Sequence, residues 1–131
     1  MFFRYNKWAL LWAALIFILC MIPGSDLPKI SWLEILGFDK FVHAGLFFVL
    51  MIFFVRGFLL QQTFSLLKSS PMISSVVICV TYGGALELMQ DAIFVERTAD
   101  IYDFIANSFG SIMGLIFFRK MDEKILFKFI R

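Results

Sequence analysis

Five of the chain's ten carboxylates, Glu87, Asp91, Glu96, Asp100 and Asp103, fall inside one stretch from Glu87 to Gly114, in a sequence that is otherwise mostly apolar. Charged side chains that persist in such surroundings are solvated or paired, because an isolated ion in an apolar medium is very costly. Glu87 and Gln90 stand three apart and share a helix face. Asp103, Asn107 and Gly110 continue a second face at helical spacing. Elsewhere in the chain, Asp39 and His43 are four apart, with Lys40 beside them. These residue types define a chemistry. His43 and Glu87 are the candidates for hydrogen bonding or proton transfer, since titratable groups in different environments are what acid–base work requires. Lys40 and Arg97 supply positive charge for an anionic ligand, and Asp39, Gln90, Asp103 and Asn107 are candidates to bind or orient it.

Each of these residues also has a structural reading. Asp39 could cap a helix while Lys40 snorkels to the interface. Glu87 could pair with Arg97 and pin a helical hairpin. Asp100 could cap the following helix, with Asp103 in its first turn, where the helix dipole favours an anion. The pair Gly110 and Gly114 forms a GxxxG spacing, which reads first as a close helix contact, and Asn107 would then be a buried amide bonding across it. A metal held by His43, Glu87 and Asp103 is a further option, but a single histidine is a thin donor set. No metal and no cofactor are therefore expected.

The elements that must position these residues follow from composition. The 131 residues are 61% hydrophobic and 18% aromatic, with only 17% charged. A soluble domain of this length cannot hide so much apolar surface, so the chain falls among membrane proteins. The expected fold is all-α, a single domain over 1–131 with transmembrane helices at about 8–22, 40–60, 72–91 and 101–118. Runs of this length fit the ~20 residues of helix that a bilayer core requires. They are apolar on both faces, which excludes the period-two alternation of a membrane barrel.

The first run, after Arg4 and Lys7, has the look of a signal peptide. It lacks small residues at its end, reading Leu19-Cys20-Met21-Ile22-Pro23, and is kept as a spanning helix. Ser31-Trp32-Leu33-Glu34 fits a capping box for a short interfacial helix in the first outer loop, and Trp32 suits the headgroup level. Gln61 to Pro71 reads as a connecting loop, and Arg119 to Arg131 as an amphipathic tail. Cys20 and Cys79 lie in apolar runs and read as buried small hydrophobes.

With four spans, the two termini and the loop between the second and third helices share one side. That side holds Arg4, Lys7, Arg56, Lys68, Arg119, Lys120, Lys124, Lys128 and Arg131, whereas Lys29, Lys40 and Arg97 lie on the other. The bias predicts cytoplasmic termini. It also places Asp39, Lys40 and His43 at the same outer level as the turn between the third and fourth helices, so topology alone brings these distant segments together. Glu87 would lie about 6 Å below its helix end, at about 1.5 Å per residue.

Taken together, Asp39-Lys40-Phe41-Val42-His43, Glu87-Leu88-Met89-Gln90, Arg97, Asp100, Asp103 and Asn107 to Gly110 resemble the VanZ-like membrane protein family, over the span from Pro23 to Gly114. That family is named for a protein associated with teicoplanin resistance. The resemblance implies a small multi-pass protein of the bacterial inner (plasma) membrane, with Asp39, Lys40, His43, Glu87, Gln90, Arg97, Asp103, Asn107 and Gly110 as its matched positions. Two residues depart from the family's pattern. Phe47 stands where a tyrosine is expected a turn after the histidine, and Glu96 puts an acid beside Arg97.

The resulting expectation is an outward-facing polar pocket that binds or modifies an envelope lipid, such as a lipid-linked wall precursor, or takes a lipoglycopeptide of the teicoplanin type. The alternative is a non-enzymatic scaffold in which the same residues form a structural network between helices. Membrane lipids are expected partners in either case, and nucleic acid is not.

Overall fold

The computed structural model describes residues 2–21, 38–93 and 101–120, with Phe38, Asp39 and Ile93 described by their backbone alone. Five helices make up the described chain: α1 (Phe2–Cys20), α2 (Phe38–Leu60), α3 (Ser65–Ser69), α4 (Pro71–Ile93) and α5 (Ile101–Lys120). Four of them, all but the short α3, are long and apolar enough to cross a membrane. This is the expected all-α class. The interfacial helix expected after Ser31 and the tail beyond Lys120 lie outside the described residues.

The boundaries differ from expectation in informative ways. Helix α1 begins at Phe2 rather than near residue 8, and it ends at Cys20 rather than 22. Arg4 and Lys7 are exposed on its first turns, so the charges that interrupt the apolar run do not interrupt the helix. Helix α2 starts at Phe38 rather than 40, and α5 continues to Lys120 rather than 118. Helix α4 starts at Pro71, not Met72, and extends to Ile93 rather than 91. Proline suits a first helical position, where its missing N–H costs nothing and its φ is already helical.

The segment expected to be only loop contains α3. Its approach is set by Gln61, whose amide accepts from Phe64 N at 2.7 Å and donates to Phe64 O at 2.8 Å. One buried side chain thus satisfies both backbone groups of a residue in the turn.

Each long helix buries one stripe. In α1 it is Asn6, Ala9, Ile16 and Cys20; in α4 it includes Ser75, Cys79, Gly83, Leu86, Glu87 and Gln90. Residues three and four apart recur on one helix face, and these spacings are of that kind. Helix α2 is the centre of the bundle. It packs against α1, α4 and α5, with its largest interface on α5, and Phe47, Leu50, Met51, Phe54, Val55 and Phe58 fill the interior.

The α2–α5 interface is close because of two glycines. A Cβ added at Gly110 would fall on the Ala44 carbonyl, and one at Gly114 would lie 2.6 Å from the Phe48 carbonyl oxygen. The GxxxG pair therefore seats the backbone of α5 against that of α2, as small residues do between membrane helices. Long-range bonds fix α1 as well. Trp12 Nε1 donates to Leu46 O at 2.9 Å, and the Tyr82 hydroxyl donates to Ala13 O at 2.5 Å.

The outer surface carries the apolar side chains that the core does not use, among them Phe3, Leu11, Ile73, Leu88, Ile105 and Phe109. Polar groups go inward. Phe41 is 77% exposed while His43, two residues on, is 6% exposed. A soluble protein would reverse that choice, because contiguous apolar surface of this extent is not left in water.

Gly110→Ala should lower the thermal stability of the detergent-purified protein by about 1–3 kcal/mol, the range for overpacking a close contact. Gly45→Ala, on the same helix pair with no atom within 4 Å of the new Cβ, should be neutral or slightly stabilising. Circular-dichroism melts of the two variants would compare them, and equal effects would contradict a backbone-to-backbone contact at Gly110.

Candidate functional site

The four long helices alternate in direction, so the end of α1, the start of α2, the end of α4 and the start of α5 meet at one end of the bundle. Lys40 and His43 lie in the first two turns of α2, Asp103 and Asn107 in the first two of α5, and Glu87 and Gln90 in the last two of α4. From Ile93, Glu87 is about 9 Å down the helix axis at about 1.5 Å per residue, deeper than the earlier helix end implied. His43, Glu87, Gln90, Asp103 and Asn107 are all buried. Ionisable side chains at such depth in an apolar bundle are costly unless they face partners or a polar cavity.

Their contacts run chiefly between α2 and α5. Lys40 Nζ donates to Asp103 Oδ1 at 2.6 Å. One turn deeper, His43 Nδ1 lies 2.9 Å from Asn107 Oδ1. An amide oxygen can only accept, so with the amide in this orientation Nδ1 carries the ring proton. The other ring nitrogen, Nε2, is turned towards Asp103 Oδ2 at 3.8 Å, too far for a hydrogen bond. Glu87 approaches from α4. One ligating atom from each of His43, Glu87 and Asp103 falls within 4.8 Å of the other two.

Asn107 is the innermost polar member, 1% exposed, and its Nδ2 has no hydrogen-bond partner among the described residues. It sits against Gly83, where a Cβ would come within 3.2 Å of the Asn107 Cβ and 3.3 Å of Nδ2. Glycine at that position of α4 leaves room for the amide. Ser111, one turn further along α5, bonds back to the Asn107 carbonyl at 2.9 Å. Sequence reasoning passed over Ser111. Its place four residues after Asn107 was the available signal.

The structure thus brings together Lys40, His43, Glu87, Asp103 and Asn107. Gln90 is directed elsewhere: its Nε2 donates to the Cys20 carbonyl at 2.7 Å, tying the end of α1 to α4. Asp39 lies in the first turn of α2, with its side chain outside the described residues, and Arg97 with Glu96 and Asp100 also lies outside them. Asp103 takes the helix-start position expected of it, and a partner in Lys40 that the sequence did not assign. It occupies the first turn of α5, where the dipole favours an anion, and it is the acceptor for Lys40. Phe47 is fully buried with its ring centroid 6.1 Å from that of Tyr82, so an aromatic face stands beneath His43 where a hydroxyl was expected.

Fold and site together define a helical membrane bundle with a buried, mixed-charge cluster at one end. No protein-family model, curated protein or solved structure matches the chain.

The Lys40–Asp103 contact should show a coupling of about 1–3 kcal/mol, the range for hydrogen bonds to charged groups. The Lys40 side chain is 37% exposed, which keeps the coupling below that of a fully buried pair. A double-mutant cycle with Lys40→Ala and Asp103→Ala, read by thermal melts in detergent, measures it. Additive effects of the two changes would mean that the pair does not couple α2 to α5.

Proposed function

We propose that the chain is a VanZ-like protein of the bacterial cell envelope, inserted in the inner membrane with both termini cytoplasmic, whose polar cluster lines an outward-facing pocket for an anionic or sugar-bearing envelope molecule. The observation that carries this reading is the convergence of Lys40, His43, Glu87, Asp103 and Asn107, from three helices, at one end of an otherwise apolar bundle. Helices pack closely in a membrane through small residues alone, as Gly110 and Gly114 do here, so two buried carboxylates, an imidazole and an ammonium exceed what packing requires. In this reading Lys40 and Arg97 attract the anionic group. His43 and Glu87 hydrogen-bond to it or move a proton, and Asp39, Asp103 and Asn107 bind or orient it, while Gln90 holds the end of α1 against α4. A lipid-linked wall precursor fits, with its chain against the apolar outer faces and its headgroup at the polar end, and so does a lipoglycopeptide. The family attribution rests on the order of those residues along the chain.

A second reading is favoured by the contacts themselves. Lys40 to Asp103 and His43 to Asn107 both bridge α2 and α5, as a purely structural network would.

The two readings separate on His43→Ala, Glu87→Ala and Arg97→Ala. A pocket predicts variants that accumulate and melt like the parent, yet no longer retain a wall-precursor lipid or alter the lipoglycopeptide susceptibility of an expressing strain. A scaffold predicts that all three fail to accumulate. Full lipid retention and susceptibility change in stable variants would remove the pocket. The orientation has its own test: a carboxyl-terminal fluorescent-protein fusion should be bright and the matching alkaline-phosphatase fusion inactive.

A further inference from the structure

The end of the bundle away from the polar cluster carries exposed charge of one sign among the described residues. The start of α1, the end of α2, helix α3 and the end of α5 meet there, because the long helices alternate in direction. Arg4, Lys7, Lys68, Arg119 and Lys120 are all exposed at this end. The described carboxylates, Asp39, Glu87, Asp91 and Asp103, all belong to the opposite one. In the sequence beyond Lys120, Lys124, Lys128 and Arg131 outnumber Asp122 and Glu123.

Large apolar side chains stand among these cations. The connection between α2 and α4 is mostly polar, yet Phe64 is 50% and Leu66 73% exposed. Spanning does not need them, since the 23 residues of α2 already extend about 34 Å at about 1.5 Å per residue, against a bilayer core of about 30 Å. On α1, Phe3 and Trp8 are more than half exposed, and the Lys7 ammonium lies 5.3 Å from the centroid of the Trp8 ring.

These groups are carried on elements packed together. Leu67 lies against the core, which leaves its neighbour Leu66 outside. The Phe64 ring meets Phe2 edge to face at 5.1 Å, and Phe2 stacks on Phe58 at 6.4 Å, joining α3 to α1 and α2. Gly57 on α2 lets the Asn6 side chain of α1 lie directly against its backbone.

From this arrangement we infer that the end formed by α1, α3 and α5 is a binding surface for anionic phospholipid. Arg4, Lys7, Lys68, Arg119 and Lys120 meet the negatively charged headgroups of the leaflet at that end, while Phe64, Leu66, Phe3 and Trp8 enter the boundary of the acyl chains. A short segment with apolar and basic side chains side by side suits the plane of the interface, where each kind finds its own medium. Had α3 stood clear of the bilayer, Leu66 and Phe64 would face water with nothing gained. Continuity favours lipid over an acidic protein as the occupant. Trp8 begins an exposed stripe on α1 that runs on through Leu11, Leu15 and Ile18, at helical spacing, so a partner covering Trp8 must be apolar along the span and anionic at its end. A phospholipid has that shape. This surface is separate from the polar cluster and does not rest on the reading proposed for it.

The test uses the full chain, delipidated in neutral detergent and exposed to mixed micelles holding equal amounts of dioleoylphosphatidylglycerol and dioleoylphosphatidylcholine. The protein is then repurified and its retained lipid extracted and counted. Each cation at an anionic surface is worth about fivefold in binding, so enrichment of phosphatidylglycerol by about tenfold or more is expected at low salt. It should fall towards parity at about 1 M salt, where the Debye length is only about 3 Å. Joint replacement Arg4→Gln, Lys7→Gln and Lys68→Gln should bring the ratio close to parity, and because these side chains are exposed the variant should melt like the parent. Leu66→Ser should lower the phosphatidylglycerol retained several-fold, whereas Gln62→Ala, exposed in the same connection, should retain as much as the parent. Sodium phosphate should displace no more lipid than sodium chloride at equal ionic strength.

Equal retention of the two lipids by the parent overturns the inference, as does an enrichment that salt does not reduce, whatever the variants do. An enrichment unchanged in the triple variant overturns it too. Loss of enrichment in Lys40→Ala, with the triple variant unaffected, would assign the anionic lipid to the polar cluster at the other end. Stronger displacement by phosphate than by chloride would assign the cations to free phosphate instead of a headgroup.

Discussion

The close approach of α2 and α5 governs the rest of the molecule. Between membrane helices there is no hydrophobic drive, since lipid tails are as apolar as the side chains they would replace. Association must come from packing contacts and from polar groups that have no better partner. Gly110 and Gly114 remove the side chains that would keep two backbones apart, and the Ala44 and Phe48 carbonyls occupy the space thus made. Only at that separation can a histidine on one helix reach an asparagine on the other at 2.9 Å. The cluster is therefore a consequence of the glycine contact, and it reinforces that contact in return.

This dependence explains the distribution of polarity along each helix. In α5 the buried stripe reads Asp103, Asn107, Gly110, Ser111, Gly114 and Phe118, passing from charged to amide to small to aromatic with depth. Helix α2 does the same, from Lys40 and His43 to Phe47, Leu50 and Met51. Buried charge is concentrated at one end of the bundle, and the deeper half is held by apolar and small residues. Asn107 lies at the transition between the charged and the small residues, and Gly83 on α4 makes room for it; one turn deeper, Ser111 still reaches Cys79 on α4 by a side-chain hydrogen bond. Replacing Gly83 by a larger residue would press on the amide that orients His43.

Much of this was legible in the sequence, and for a definite reason. Apolar runs of spanning length fix the number and direction of helices, and direction alone places Lys40, His43, Glu87, Asp103 and Asn107 at one end. What the sequence could not supply is the rotation of each helix about its own axis. Gln90 shares a spacing with Glu87, yet its amide turns to the Cys20 carbonyl on α1, because three residues of helix carry a side chain far enough round to meet a different neighbour. The bonds from Trp12 and Tyr82 to backbone carbonyls were hidden for the same reason. The early start of α1 was hidden by another. Hydropathy reports the extent of the membrane core, whereas Arg4 and Lys7 are good helix formers that continue the helix beyond it. Helix α3 escaped because a five-residue helix leaves no periodic trace, and its turn is built by one glutamine.

The helix-start position of Asp103 and its contact with another helix do not compete. Asp103 lies in the first turn of α5, where the helix dipole favours its charge, and that same position carries it across to Lys40 and His43. A carboxylate stabilised by the dipole and by an ammonium at 2.6 Å has less need of water than an isolated one, which is what permits it to sit beside Glu87 in an apolar bundle. Asp103 is fixed by its place at the helix start and by the ion pair to Lys40, and its second oxygen stands 3.8 Å from His43 Nε2.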